Sequence, residues 1–343
     1  MIKLGMIGMG GMGCSHARAI AKMEDVEIVT VCDLIEKKAQ AIGEQVGAKW
    51  CTDYHDLLDE VDAVWVCTEP FNRRDVVTTA AAAGKDIFTE KPICRQLADA
   101  DAMLAAAEET GVKYMLGYCL RFWQPYRVLH DTLASGELGD LVNCWTRRYM
   151  PWDASSIWYG QQDKSGGVML DFGSHDIDWL RWLGGDVKTV FGKTFRVRET
   201  MHADEHGQVL MLFESGGMGT ADDSWSSSLN ESSLGVIGTK GAMIVGSDNV
   251  VRKKLAGGEQ EIVDVEAATD IDPEGRLGKK DEAGEIHAVE TRNETIQEHF
   301  FRCIREDIEP ITPATDGRKT LLTVLALHES ARRGASVALA EIG

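Results

Sequence analysis

The chain has 343 residues, 44% of them hydrophobic, with 36 lysines and arginines against 55 aspartates and glutamates, a net charge of −19. That length favours two domains with substantial cores. The acidic balance argues against nucleic acid and anionic membrane as partners, because phosphate binding needs clustered Lys and Arg. No apolar run approaches the roughly eighteen residues of a membrane-spanning helix. The first strand begins at once, which leaves no room for a signal peptide and makes a cytoplasmic location the expectation. The eight cysteines form no CxxC pair. Most sit in apolar runs and read as buried thiols rather than a zinc site or a disulfide frame.

The chain opens on an apolar run from Ile2 to Ile7, then Gly8-Met9-Gly10-Gly11-Met12-Gly13. A helical pattern follows to about Met23, and a second apolar run, Val26 to Cys32, ends at Asp33. This is strand, glycine turn, helix, strand, acid. Gly8 allows a tight turn, Gly10 lets backbone approach a pyrophosphate, and Gly13 lets the helix pack on the strand. The helix N-terminus offers N–H groups and partial positive charge to phosphates. Asp33 is placed to accept hydrogen bonds from a ribose diol. A carboxylate there would repel a 2′-phosphate, and Leu34-Ile35 supply no arginine to hold one. NAD is therefore preferred over NADP, although Lys37 and Lys38 lie close enough to keep the question open.

Helical and strand patterns then alternate. Glu36 to Val46 suits a helix, and a small helix surrounds Leu57-Leu58. Val61 to Cys67 reads as a buried strand ending in Thr68-Glu69-Pro70. An alanine-rich helix from Asp75 stops at Gly84. The strand Asp86 to Thr89 runs into Glu90-Lys91-Pro92. Leu97 to Glu109 is helical, and Lys113 to Tyr118 is the next strand. This spacing predicts a doubly wound parallel sheet with helices on both faces over residues 1–120. Ligands of such sheets bind beyond the carboxyl ends of the strands, where the glycine turn, Asp33, Cys67, Thr68, Asn72, Glu90, Lys91 and Tyr118 fall. Lys91 stands before a proline, which restricts its backbone to extended geometry and permits a cis bond. A fixed ammonium beside the nicotinamide could stabilise a developing alkoxide.

The pattern changes near Arg121. A helix is expected from Phe122 to Leu133, then alternating runs at 141–149, 187–197, 208–213, 217–225, 233–237 and 242–245. These predict an α/β domain over 121–343 with a large open, mostly antiparallel sheet. One helix, about Met169 to Leu183, lies between the first two runs. Gly257 to Val289 is polar and acid-rich and reads as a surface excursion. Asn293 to Arg305 and Lys319 to Arg332 are helical.

On the helix after Gly166-Gly167, the spacing i, i+4, i+7 puts Asp171, His175 and Asp178 on one face. A histidine beside a carboxylate suits proton transfer near neutral pH. Three readings stay open for this stretch: an acid–base pair, a divalent-metal site, or a packing cluster with a satisfied histidine. The metal reading is the weakest, since two carboxylates and one histidine on one helix make a thin ligand set.

Taken together, the glycine motif with His16, Glu90-Lys91-Pro92, Gly166-Gly167 with Asp171, Gly173, His175 and Asp178, and Ile237-Gly238-Thr239-Lys240-Gly241 resemble a known family over essentially the whole chain. It is the family of NAD(P)-dependent sugar oxidoreductases that contains glucose–fructose oxidoreductase and inositol dehydrogenase. The resemblance implies a Rossmann domain followed by an α/β domain for substrate binding and oligomerisation, as a homodimer or homotetramer. It also implies a catalytic set of Lys91, Asp171 and His175: His175 takes the hydroxyl proton, Asp171 orients it, and Lys91 binds the reacting oxygen. The run Thr68-Glu69-Pro70-Phe71-Asn72-Arg73 departs from the threonine-proline turn and later histidine of many members. Tyr118, Arg121, Trp152 and Trp158 are further candidates for substrate contact; tryptophan faces stack on sugar C–H surfaces, and Arg121 could meet a carboxylate or phosphate. For each of them alone, core packing is the competing explanation.

The expected activity is NAD-dependent oxidation of a secondary hydroxyl of a sugar, cyclic polyol or sugar derivative. Two rivals stand beside it: a glycosidase working by transient oxidation on held NAD, and a non-catalytic dinucleotide sensor.

Overall fold

The computed structural model describes residues 1–263 and 294–343, and between them the backbone of two short strands, Gly278–Lys280 and Ile286–Ala288. Most of the acid-rich stretch 257–289 lies outside the described residues. The chain divides into two compact units, 1–118 with 296–321, and 119–295 with 322–343. The boundary at residue 118 lies two residues before the expected one at 120. The difference of substance is that residues 296–321, expected in the second domain, belong to the first unit.

The first unit runs β1 (Ile2–Ile7), α1 (Gly11–Ile20), β2 (Val26–Cys32), α2 (Glu36–Val46), β3 (Lys49–Cys51), α3 (His55–Leu58), β4 (Ala63–Val66), α4 (Arg74–Ala82), β5 (Asp86–Thr89), α5 (Leu97–Thr110) and β6 (Tyr114–Leu116). All six strands are parallel, in the order β3-β2-β1-β4-β5-β6. The doubly wound sheet is as expected. Its central strands are apolar throughout because helices cover both faces. The order reverses between β1 and β4, the topological switch point at which such sheets open a crevice.

The core of this unit explains why its last part comes from far along the chain. Trp65 on β4 stacks on Phe88 of β5 with ring centroids 3.5 Å apart. Phe300 of the late helix stands edge-on to Trp65 at 5.6 Å, with Phe301 at 6.1 Å. All four rings are buried. Each such aromatic pair is worth about 0.5–1.5 kcal/mol beyond the area it buries.

The second unit runs α6 (Gln124–Ala134), β7 (Leu141–Pro151), α7 (Gln162–Ser165), α8 (Gly167–Asp171), α9 (Ser174–Gly184), β8 (Val187–Phe195), β9 (His206–Phe213), β10 (Met218–Ser224), β11 (Ser226–Gly238), β12 (Gly241–Val245), β13 (Val251–Leu255) and β14 (Gln260–Val263). The short strands at Gly278–Lys280 and Ile286–Ala288 are β15 and β16, and they pair with each other. The late helix is α10 (Ile296–Glu306), followed by α11 (Ala314–Arg333) and β17 (Val337–Ala338). The large sheet has nine strands, β14-β13-β12-β11-β7-β10-β9-β8-β17. Only β10 beside β7 is parallel. Its inward residues, such as Val209, Met211 and Phe213, are buried, while Leu210 and Leu212 between them are exposed.

The helix expected from Met169 to Leu183 is two helices. α8 ends at Asp171 and α9 starts at Ser174, so Asp171 and His175 flank an elbow at Phe172–Gly173 instead of sharing one continuous helix.

Candidate active site

The glycine turn sits at the switch point. Gly8 has φ +92°, a left-handed conformation that L side chains rarely adopt. A Cβ there would stand 2.8 Å from the backbone of Cys67 and Thr68 at the end of β4. A Cβ on Gly13 would stand 2.0 Å from the carbonyl oxygen of Gly8, so α1 rests directly on the turn. Gly10 and Gly11 differ: nothing lies within 4 Å of a Cβ on either. Open space therefore faces the first turn of α1, where Gly10 at the N-cap offers no side chain to the helix N–H groups.

Asp33 is fixed beside this space. Its Oδ2 accepts from the Met9 N–H at 2.8 Å and its Oδ1 from the Ile35 N–H at 2.8 Å. Each oxygen keeps a lone pair for a diol. The hydroxyl oxygen of Thr68 is buried without a hydrogen-bond partner. Burial, then the charge of Glu90, pushes the Cys67 thiol well above its usual range, so it stays neutral. The open glycine turn, the fixed carboxylate and the orphaned hydroxyl fit a dinucleotide: helix N–H groups for the pyrophosphate and Asp33 for the adenosine ribose. Asn72 closes the turn Pro70–Asn72 and is exposed.

The loop that carries Lys91 is held from below. The Lys91–Pro92 peptide is cis, as the X-Pro context permits. Arg73, 1% exposed, donates through Nη1 to the carbonyls of Glu90 and Pro92, and to that of Ile93 at 3.3 Å. Its Nη2 donates to the Thr68 carbonyl at 2.5 Å. One guanidinium thus ties the end of β4 to both sides of Lys91. Burial lowers its pKa, and the negative and polar groups around it, Tyr114 and Glu90 first, act in the opposite direction. Glu90 adds a second tie: its Oε2 accepts from the Lys91 N–H at 3.1 Å, and its Oε1 meets His16 Nε2 at 2.7 Å. The Gln297 amide reaches His16 Nδ1 at 2.9 Å, which puts the ring proton on Nε2. Lys91 itself is half-buried.

In the second unit, Asp171 is buried, and its carbonyl accepts from the Ser174 hydroxyl at 3.2 Å across the elbow. His175 is half-buried, and its Nδ1 lies 3.9 Å from the Cys119 sulfur. Asp178 lies on the same helix as His175. It is fully buried and takes a bidentate pair from Arg121, Nε to Oδ2 at 2.8 Å and Nη2 to Oδ1 at 2.6 Å. Arg121, a candidate for substrate contact, thus meets an internal carboxylate. Tyr118 is 1% exposed, a core position as far as its area goes. Trp152 and Trp158 are half-buried, Trp152 edge-on to Trp225 at 4.9 Å and Trp158 stacked on Tyr159 at 3.7 Å. Among the described residues, no group of three or more His, Cys, Asp or Glu is arranged to hold a metal ion.

Arg73 and Gln297 are positioning groups that sequence reasoning does not find. Arg73 carried a weak signal, a second basic residue before an alanine-rich helix, but nothing in the sequence announces its burial. Gln297 carried none, because its contact partner is His16, at the other end of the chain.

Residues 2–118 match the model of an oxidoreductase family with an NAD-binding Rossmann fold, and residues 126–244 match that of the GFO/IDH/MocA C-terminal domain. The chain is 28% identical to a D-apiose dehydrogenase of Paraburkholderia graminis, over 97% of this chain and 88% of that one. It is 26% identical to a scyllo-inositol 2-dehydrogenase (NAD(+)) of Bacillus subtilis, over 98% and 96%. Its fold is that of an oxidoreductase from Agrobacterium radiobacter, solved in complex with NAD+, L-tartaric acid and magnesium, with a TM-score of 0.86 at 22% identity over 100% and 99% of the two chains.

Proposed function

The chain belongs to the oxidoreductase family with an NAD-binding Rossmann fold and the GFO/IDH/MocA C-terminal domain, and from that premise we propose that it oxidises a secondary hydroxyl of a sugar or cyclic polyol to a ketone. NAD is its cofactor. The observation that carries the reading is the crevice at the switch point, where an open glycine turn, Asp33 and a locked Lys91 loop converge at strand ends. The relatives named for D-apiose and scyllo-inositol support the substrate class.

Held by the glycine turn and Asp33, oxidised NAD would supply the acceptor for the carbon-bound hydrogen and its electron pair. His175 removes the hydroxyl proton, since imidazole titrates in the range that transfer needs. Buried Asp171 orients His175 and stabilises its cation. The Lys91 ammonium binds the reacting oxygen and offsets the charge that develops there. The half-buried Trp152 and Trp158 are candidate faces for the substrate's C–H surface.

The same reading includes a cytoplasmic homodimer or homotetramer. Eight cysteines with no CxxC pair, most of them in apolar runs, support the compartment. The outward face of the nine-stranded sheet supports the assembly: Phe191, Leu210, Leu212, Met218, Ile237 and Ile244 share it by register and are exposed. Exposed apolar side chains gathered on one face in this way mark an interaction surface. Sedimentation as a pure monomer would overturn the assembly.

The test is NADH formation followed by absorbance, with NAD or NADP against inositols, aldoses, glycosides and nucleotide sugars. Signal with NAD and one substrate group is the expected result. NAD binding with no turnover of any substrate would overturn the dehydrogenase.

A further inference from the structure

Behind the elbow of the second unit, a half-buried arginine meets two buried carboxyl groups. Asp176 on α9 and Asp223 on β10 are each 0% exposed. Arg148 on β7 donates through Nε to Asp176 Oδ2 at 2.7 Å, and through Nη2 to the same oxygen and to the Phe172 carbonyl at 2.8 Å. Its guanidinium lies 3.9 Å from the centre of the Phe172 ring. Arg148 thus grips both halves of the elbow. Asp223 fills the space behind it: a Cβ on Gly173 would stand 2.7 Å from Asp223 Oδ2.

The donors do not match the acceptors. Both oxygens of Asp223 and Oδ1 of Asp176 are buried with no hydrogen-bond partner. The charge of Asp176 nevertheless acts on Asp223. Two ionised carboxylates against one guanidinium would leave a net negative charge and three unsatisfied buried oxygens, a cost of several kcal/mol. One proton removes the conflict: it neutralises the excess charge and gives one orphaned oxygen a donor role toward another. The remaining titratable neighbours do not supply it. Tyr126 on α6 is held neutral, its pKa raised first by burial and then by Asp176. Asp222, next to Asp223 on its strand, is engaged with Tyr149 at 2.7 Å and Arg147 at 3.3 Å.

We propose that Asp223 is a neutral carboxylic acid at physiological pH, that its proton bridges it to Asp176, and that this bridge with Arg148 sets the elbow carrying Asp171 and His175. Asp223 is then a positioning residue, acting through the elbow; this part rests on the reading of His175 as the base. Burial first, then the charge of Asp176, pushes the Asp223 carboxyl well above the usual carboxylate range, and Arg148 acts against them.

The decisive experiment is infrared spectroscopy of the full chain at neutral pH, wild type against Asp223→Asn. The expected difference spectrum contains the carbonyl band of one protonated carboxyl group, shifted in D2O. A spectrum without that band overturns the proposal, and it does so without any turnover, independently of the substrate reading. Kinetics then test positioning. Asp223→Ala is expected to lower kcat by about a hundredfold, as small misplacements of catalytic groups do, with NAD affinity unchanged. Asparagine, which keeps a donor toward Asp176, is expected to restore most of it. An alanine variant that folds and keeps wild-type kcat overturns the positioning role. If alanine does not fold, the asparagine variant's kcat decides: within about tenfold of wild type supports the bridge, and a loss as large as about a hundredfold overturns it.

Discussion

His16 Nε2 lies 2.7 Å from Glu90 Oε1, so the helix that starts at the glycine turn is joined to the loop that presents Lys91. The same carboxylate holds the Lys91 N–H through its other oxygen. Glu90→Ala would leave a largely buried imidazole N–H and a backbone N–H without their acceptor. Each such loss costs about 1–3 kcal/mol. The expected result is a lower urea midpoint, together with weaker NAD binding by fluorescence titration. A variant with wild-type midpoint and affinity would remove Glu90 from this role.

The glycines of the turn should separate fold from binding. Gly13→Ala places a methyl 2.0 Å from the Gly8 carbonyl oxygen and should unfold the turn or displace α1. Gly10→Ala meets nothing within 4 Å in the protein. It should leave thermal stability almost unchanged yet weaken NAD binding at least about tenfold, roughly 1.4 kcal/mol. Calorimetric titration beside a melting curve reads both. Undiminished affinity in Gly10→Ala would place the pyrophosphate elsewhere.

Lys91→Met keeps the length and apolar stem of the side chain and removes its charge. NAD binding should persist, because the loop is held by Arg73 and Glu90 through backbone groups. Turnover should fall by about a hundredfold to a thousandfold, the usual loss when a group that stabilises developing charge is removed. Wild-type turnover would take Lys91 out of the mechanism.

Asp223 also predicts how stability depends on pH. Its folded-state pKa is raised, so the folded chain binds a proton that the unfolded chain has released. Relative to Asp223→Asn, wild type should therefore lose stability as pH rises above about 4, the ordinary carboxylate range. The slope approaches about 1.4 kcal/mol per pH unit for one proton and ends where the folded-state group itself titrates. Urea midpoints of the two proteins at a series of pH values measure it. Parallel curves would mean that Asp223 carries no such proton.

The first unit was legible because its signals are local. A glycine turn between two apolar runs, with an acid at the end of the second, sits within one stretch of chain, and buried parallel strands read as continuous apolar runs. β3 was missed because Lys49–Cys51 is three residues long and mostly exposed. β14 was missed because Gln260–Val263 is a polar edge strand that buries almost nothing. The elbow was hidden by its own geometry: Phe172 and Gly173 keep near-helical dihedrals, so the apolar period runs through the break. The ties that fix the site were the least readable. Arg73, Gln297, Arg148 and Asp223 act through partners brought near by the fold, and nothing in a polar residue's local sequence names such a partner.

Phe300 and Phe301 complete a core whose other rings, Trp65 and Phe88, are made far earlier in the chain. During synthesis the nucleotide-binding sheet is translated long before its covering helix. At about 5–20 residues per second, the interval is on the order of ten to forty seconds. For that time the nascent sheet has an uncovered aromatic face, which makes it a natural client for a holding chaperone. A fragment ending at residue 118 would keep that face for good, so dissecting the protein at its apparent boundary should give an aggregating product, whereas a fusion of 1–118 to 296–321 has the parts to fold.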